Sequence, residues 1–184
     1  MPRERFERRR ATLADATPMR EGRQLARATI HDALDAWRAA ERRWESMAYD
    51  DPAYRQASID VIAAWLTYNA PNEESEPGSF VLVADDEHRY VAVSDGVKAT
   101  LGYEPAQLLG RRIEDLTPRD LAAGTLEQWQ RFLADGRQDG EFRLLAADGR
   151  EVALRFQARA HYPIAGYHRS RLWPVGRDDG SSVS

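Results

Sequence analysis

The stretch Val91-Ala-Val-Ser-Asp-Gly-Val-Lys-Ala-Thr-Leu-Gly-Tyr-Glu-Pro-Ala-Gln-Leu-Leu-Gly110 changes local structure several times within a short distance. A short strand gives way to a few helical residues, then to a Gly-Tyr turn, and then to a short helix that ends at a second glycine. Leu101 and the pair Leu108-Leu109 each place apolar side chains beside a glycine that lets the backbone reverse. Such closely spaced helix stops indicate a small α+β domain wrapped around a pocket.

The size and composition of the chain limit the classes of protein to which it can belong. Its 184 residues suffice for one domain of ordinary size, or for a small domain with an appendage. The absence of cysteine excludes disulfides, thiolate metal sites and thiol nucleophiles. No apolar run approaches the roughly 18–20 residues of a membrane-spanning helix, and the N-terminus has no apolar core like that of a secretory signal. We therefore expect a cytoplasmic protein with no membrane partner.

The overall charge argues against nucleic acid as a partner. The formal net charge is −4, and the arginines of the N-terminal run are diluted by Glu4 and Glu7. We expect this terminus to be a solvated arm rather than a phosphate-binding element.

The pattern of the sequence divides the chain into parts. Before residue 70 no strand pattern appears, and apolar or small residues recur at spacings of three and four, as on one face of a helix. This seam contains Ile30, Ala33, Trp37, Ala40, Trp44 and Met47. Asp50-Asp-Pro52 then interrupts the helical pattern, and a second helical pattern follows. The predicted parts are a disordered arm at 1–20, a helical hairpin at 21–69, a linker at 70–79, a domain at 80–175 and a disordered tail at 176–184.

The aromatic content of the predicted hairpin requires a partner surface. Trp37, Trp44 and Trp65 would leave a large apolar stripe exposed if the hairpin stood alone. The stripe must cover either the domain that follows it or a second copy of the protein. We favour the second copy, which predicts a homodimer formed through these helices.

Strand patterns dominate the second part of the chain. Polar turn residues separate the first two strands, and Ala147-Asp-Gly149 is a strong hairpin signal between two later ones. The expected order is strand, strand, short helices, one longer helix and three strands, at 80–84, 89–93, 97–101, 105–109, 125–134, 141–145, 151–161 and 167–175.

This order of elements, together with Leu101-Gly-Tyr-Glu-Pro-Ala-Gln-Leu-Leu-Gly110, Ile113-Glu-Asp-Leu-Thr-Pro118 and Asp148-Gly149, resembles the PAS domain, a sensory module of many bacterial signalling proteins. The resemblance covers about 79–175. It implies an α+β fold with a five-stranded antiparallel sheet, short helices across one face, and a ligand cavity between them. It also implies dimerisation, often through preceding helices. The ending Leu172-Trp-Pro-Val175 departs from the Asp-Ile-Thr-like triplet of many relatives. We therefore expect output through dimerisation or a separate signalling protein.

The candidate ligand site follows from strand alternation. If Arg169 and Arg171 point outward, then His168 and Ser170 point into the cavity, where they can hydrogen-bond a ligand. The alternative is a polar pair within a filled core, satisfied by backbone groups or water. Aromatic and apolar side chains at such spacings are also often simple core. The expected ligand-binding residues are Trp129, Phe132, Phe142, Leu144, Leu154, Phe156, His168 and Ser170.

Several chemistries are excluded or open at this point. Without cysteine, the flavin photochemistry of light-sensing PAS relatives and a thioester-linked chromophore are excluded. The histidines His31, His88 and His161 are expected on the surface, which leaves His168 as the one candidate haem ligand. No catalytic motif or tuned carboxylate pair appears, so we expect neither an enzyme nor a metal site. The identity of any cofactor stays open.

The sequence thus favours a stand-alone PAS sensory protein that binds a small molecule or partner and signals through dimerisation. One alternative is a non-sensing adaptor, in which an arginine-rich outer sheet face binds an acidic partner; that face contains Arg155, Arg159, Arg169, Arg171 and Trp173. The other alternative is a haem-binding gas or redox sensor that uses His168.

Overall fold

Two helices precede a five-stranded sheet in the computed structural model, which describes residues 17–176, with side chains from residue 29 onward. The strands form one antiparallel sheet in the order β2-β1-β5-β4-β3, which confirms the predicted α+β class and PAS architecture. The elements are α1 Thr17–Glu45, α2 Tyr54–Glu73, β1 Phe80–Asp85, β2 Tyr90–Val93, α3 Gly96–Leu101, α4 Pro105–Leu108, a 3-10 turn at Ile113–Leu116, α5 Arg119–Ala122, α6 Thr125–Asp135, β3 Arg137–Leu145, β4 Glu151–Arg159 and β5 Tyr167–Pro174.

Strand β1 is buried on both of its faces, at all of its six positions. Because side chains alternate along a strand, it supplies two separate apolar clusters. Phe80, Leu82 and Ala84 point toward the short helices and form the domain core. Val81 and Val83 point the other way, toward the helical hairpin. The sheet therefore has a helical layer on each side of β1.

The hairpin packs on the outer face of β1 and β2, so that Trp65 covers the domain that follows it, while the expected homodimer stays a prediction. Trp65 is buried in a cluster that contains Val81, Val83 and Tyr167. The other two tryptophans contact tyrosines of α2. The ring centroids of Trp37 and Tyr68 are 5.5 Å apart, and those of Trp44 and Tyr54 are 5.8 Å apart. All three tryptophans therefore have partners within the chain.

Ionic contacts tie both ends of α2 to the sheet. At its start, the Arg55 guanidinium lies 2.7 Å from the Asp85 carboxylate at the end of β1. At its end, Glu73 pairs with Arg169 of β5, and both of these side chains are largely buried. These two contacts fix the orientation of α2 across β1 and β5.

The outer sheet face is less open than an adaptor surface requires. Arg169 is held by α2, and Arg171 donates a hydrogen bond to Ser75 at 2.7 Å. Arg155 and Arg159 on β4 stay exposed. The predicted partner surface is therefore reduced to its β4 half.

The element boundaries differ from the expected ones at several points. Helix α1 begins at residue 17, inside the segment predicted as an arm, and α2 continues to Glu73, inside the predicted linker. Strand β3 begins at Arg137 rather than at 141, because Gly136 adopts a left-handed φ of 73° and ends α6 at once. The rest of the predicted arm and nearly all of the predicted tail lie outside the described residues. Within 17–176, no helix combines the length and the apolar character that crossing a membrane would require.

Replacing Trp65 by Ala is expected to lower the free energy of unfolding by about 3–5 kcal/mol, because it removes a buried indole between α2 and the sheet. Denaturant unfolding of the full chain measures this loss. The matched control is Tyr49→Ala: Tyr49 is 86% exposed, so a change within about 0.5 kcal/mol is expected. Similar small losses in both variants would contradict the packing of α2 on the sheet.

Candidate functional site

A cavity of about 120 Å³ lies between the inner face of the sheet and α6. Trp129 and Phe132 of α6 form its roof, with ring centroids 5.6 Å apart in an edge-to-face arrangement. All five strands contribute to its floor, β2 through Tyr90, and its lining is predominantly apolar. Helix α6 is short, and it ends at Gly136, whose N–H caps the carbonyl of Phe132. The aromatic side chains of α6 therefore cover one side of the cavity.

The strand register orders the floor of the cavity by polarity. One row across the sheet contains Ser170, Ala158 and Gln138, in which a small alanine lies between two polar side chains. The neighbouring row places Leu172 beside Phe156. The cavity thus has a polar end, at the Ser170 row, and an apolar end.

The structure places seven of the eight expected ligand-binding residues around this cavity. They are Trp129, Phe132, Phe142, Leu144, Phe156, His168 and Ser170. Leu154 is the exception, because it is fully buried in the domain core and does not line the space. Whether any of these residues contacts a ligand stays a prediction.

The roof residue Trp129 is held between two histidines. Its indole lies 4.4 Å from the ring of His88 and 5.0 Å from the ring of His168, measured between centroids. His88 also bonds the carboxylate of Glu114 in the 3-10 turn, and its side chain is only 13% exposed. Our placement of His88 on the surface was therefore wrong. A left-handed φ of 65° at His88 turns the side chain from the hairpin tip toward α6.

His168 is buried and bonded through both ring nitrogens. Its Nε2 donates to Oδ1 of Asp86 at 2.8 Å, and its Nδ1 accepts the backbone N–H of His161 at 3.2 Å. Burial lowers the pKa of His168 below its ordinary value, and the neighbouring Asp86 carboxylate offsets only part of this effect. His168 is therefore a neutral imidazole near pH 7, with a fixed tautomer.

His161 lies at the rim of this network and is exposed, as predicted. Strand β4 ends at Arg159, and a φ of 53° at His161 brings its ring within 5.1 Å of the ring of His168. One potential ligand atom each from Asp86, His161 and His168 lie within 4.8 Å of one another, as a metal site would require. However, Nδ1 of His161 also accepts a backbone N–H, from Gly166 at 3.3 Å.

These hydrogen bonds do not suit a metal site. A histidine that ligates a metal normally donates its second ring N–H to an acceptor. Here the Nδ1 atoms of both histidines face N–H donors, so coordination through Nε2 would leave each ring without its usual proton. The three residues form a hydrogen-bond network that orients His168.

The cavity does not fit a haem either. Both ring nitrogens of His168 are engaged, which leaves none to bind iron. A space of about 120 Å³ is also smaller than the cavity of about 150 Å³ that holds benzene, and haem is several times larger than benzene. The haem alternative therefore has no support from these residues.

A second, larger groove of about 250 Å³ follows the free edge of β2, between α2 and α4. Its lining includes Leu66, Asp95 and the exposed Leu109. Of these two spaces, only the first has aromatic side chains in its lining, so that cavity is the candidate site.

The residues of this site that sequence reasoning missed include Asp86, His88, Glu114 and Gln138. The alternation of β3 contains the position of Gln138, since it shares a face with Phe142, but the predicted strand began too late to include it. The other three depend on loop conformation and on contacts between distant segments. The sequence contains no local signal for them.

Comparison with known proteins agrees with this fold. A family model described as the PAS fold matches residues 77–167. The structure of a PAS domain from Colwellia psychrerythraea is similar, with a TM-score of 0.51 and 15% identity, over 60% of this chain and 97% of that one. The PAS-B domain of Drosophila melanogaster Cycle, solved with bound ethylene glycol, has a TM-score of 0.47 and 15% identity over 52% of this chain and 99% of that one. No curated protein matches the chain.

Acid should destabilise the protein through His168. Because the folded-state pKa of His168 is lowered, its contribution to stability is full above about pH 6.5 and decreases as the pH falls toward the folded-state value. Melting temperatures between pH 7.5 and 5 should therefore fall less in His168→Gln than in the wild type. The control Tyr49→Ala, at a position that is 86% exposed, should follow the wild-type curve. Parallel curves for all three proteins would contradict this account.

Proposed function

The chain carries a PAS domain at residues 77–167, and from this premise we propose that it is a sensory protein whose cavity binds a small molecule. The observation that supports binding is the aromatic cavity itself, with its polar row and its roof on α6. Interiors are normally close-packed, and a space lined by apolar and aromatic side chains with a few polar groups has the composition of a ligand site. Domains of this family are typically sensory rather than catalytic, and we propose no reaction for this chain.

The sheet offers a route from the cavity to the hairpin. On β5, His168 faces the cavity while its neighbour Tyr167 packs against α2. On β1, Leu82 faces the cavity while Val83 packs against α2. A ligand that shifts these strands changes the surface on which the hairpin rests. Signalling then requires that the ligand bind the two hairpin arrangements with unequal affinity.

Helix α1 is the proposed site of output, through a homodimer or a separate signalling protein. In residues 29–45 of α1, no side chain is fully buried by the rest of the chain. Ile30, part of the predicted seam, is 47% exposed. One long helix therefore presents surface that a second copy can cover.

The adaptor alternative has less support, because α2 and the segment after it already occupy Arg169 and Arg171. It predicts a protein that binds no small molecule. A ligand screen therefore separates it from the sensory function.

Filling the cavity tests the sensory proposal. We expect at least one fragment from a set of charged and neutral, aliphatic and aromatic compounds to shift the amide NMR signals of cavity residues in the full chain. Ala158→Leu should weaken that binding at least tenfold, because the added side chain occupies the space beside Ser170. The matched control is Ala153→Leu, which changes an exposed residue on the other face of the same strand. A screen in which no fragment binds would leave the adaptor as the function.

The dimer is tested by the mass of the full chain in solution. We expect light scattering to give a dimer for the wild type and a shift toward monomer for Ile30→Glu, because Ile30 is the exposed large apolar side chain within residues 29–45 and a charge there opposes apolar contact. Ala39→Glu, on the opposite side of α1, serves as the control and should remain dimeric. A monomeric wild type at high micromolar concentration would argue for output through a separate protein.

A further inference from the structure

We propose that the ligand of this cavity is an uncharged molecule with one aromatic ring and a single hydrogen-bonding substituent. The inference rests on the proposed function and specifies the class of compound that the site accepts. Three properties of the cavity carry it: its size, the charge of its lining, and the order of its floor.

The size of the cavity limits the ligand to one ring. An apolar cavity of about 150 Å³ holds benzene, and this one is of comparable size, at about 120 Å³, but open on one side. One ring with a substituent of one or two non-hydrogen atoms is therefore about the largest molecule that lies within it without rearrangement of the roof. Phenol-sized compounds meet this limit, whereas nucleotides, flavins and porphyrins exceed it.

The lining of the cavity excludes a charged ligand. None of the described residues around it is an aspartate, glutamate, lysine or arginine. The two lining groups that can ionise are both held neutral: burial lowers the pKa of His168, and burial raises the pKa of Tyr90 well above its ordinary value. An ion placed here would lose its hydration without gaining a counter-charge. A neutral molecule loses much less.

The outward contacts of these two residues also leave the cavity neutral. His168 is faced by Asp86, His161, Trp129 and Phe132. The Asp86 carboxylate is engaged on the far side of the imidazole, at Nε2. The Asp86 carboxylate is therefore already committed to a protein donor. At Tyr90, the negative charges of Glu114 and Asp115 add to the effect of burial in raising the pKa, so that the phenol stays neutral.

The surrounding rings favour an aromatic ligand over an aliphatic one. At the apolar end, Phe142 and Phe156 stand edge to face with centroids 6.5 Å apart. Trp129 and Phe132 make the same arrangement in the roof. A flat ring between these pairs gains edge-to-face contacts that a saturated ring cannot make, a difference of about two- to tenfold in affinity.

The floor gives this ring an orientation. With the ring at the Phe142 and Phe156 end, a hydroxyl or carbonyl substituent reaches the row of Ser170, Ala158 and Gln138. Ala158 leaves room between the Ser170 hydroxyl and the Gln138 amide. One substituent at this position can hydrogen-bond either side chain, which accounts for a single polar group on the ligand.

Five probes test the class: phenol, toluene and cyclohexanol, which have seven non-hydrogen atoms each, and benzoate with benzamide as its uncharged counterpart of the same size, titrated into the full chain at pH 7.5 by calorimetry and NMR. We expect phenol to bind most tightly, toluene and cyclohexanol two- to tenfold more weakly than phenol, and benzoate at least tenfold more weakly than benzamide. Benzoate binding as tightly as benzamide, or cyclohexanol as tightly as phenol, would overturn the proposed class. Some other fragment binding while all five probes fail would overturn the class but leave the sensory function intact.

The orientation is tested by Ser170→Ala and Gln138→Ala. At least one of these variants should weaken phenol about two- to tenfold, the value of one hydrogen bond, while toluene affinity stays unchanged. Parallel changes for both probes would overturn the orientation. If no compound of any class binds the wild type, the proposed function itself fails together with this inference.

Discussion

The structure depends on the double burial of β1, whose six residues are all withdrawn from solvent. A strand in this position must be apolar on both faces, and Phe80-Val-Leu-Val-Ala84 meets that requirement. Its even-numbered residues complete the domain core, and its odd-numbered residues hold α2. Because both helical layers pack on β1, a shift of either layer disturbs the strand on which the other layer packs.

The cavity and the hairpin are coupled because they pack on opposite faces of the same strands. Strand β5 lies beside β1 and alternates in the same way, since Tyr167 packs in the hairpin cluster and His168 lines the cavity. The ion pairs of Arg55 with Asp85 and of Glu73 with Arg169 bind α2 to these same two strands. Strand β2 links the two sites as well, since Tyr90 lines the cavity and Ala92 packs in the hairpin cluster. Strands β3 and β4 carry the rest of the cavity floor but lie farther from α2. A change in the cavity therefore reaches the hairpin chiefly through β1, β2 and β5.

Most of the fold could be predicted because its signals are local. The glycine stops between residues 91 and 110 and the alternation of β4 each identify an element from neighbouring residues alone. The partner of the hairpin could have been inferred too, because an uninterrupted apolar run in β1 indicates a strand covered on both faces. The ring contacts of His88 and His161 at the site could not be predicted, because each depends on a left-handed backbone conformation that is uncommon outside glycine. The Asp86–His168 bond joins segments far apart in sequence, and no periodicity reports such a contact.

The roof of the cavity, formed by α6, is held by contacts between side chains and not by backbone pairing with the sheet. Helix α6 contacts the sheet through its side chains. One of these, the Trp129 indole, lies between the rings of His88 and His168. Each histidine is in turn oriented by a carboxylate, Glu114 or Asp86, that belongs to neither α6 nor the floor. Ring contacts of this kind are individually weak compared with a paired strand. The helix that closes the cavity is therefore the layer that a ligand can displace most easily, while the sheet beneath it keeps its register.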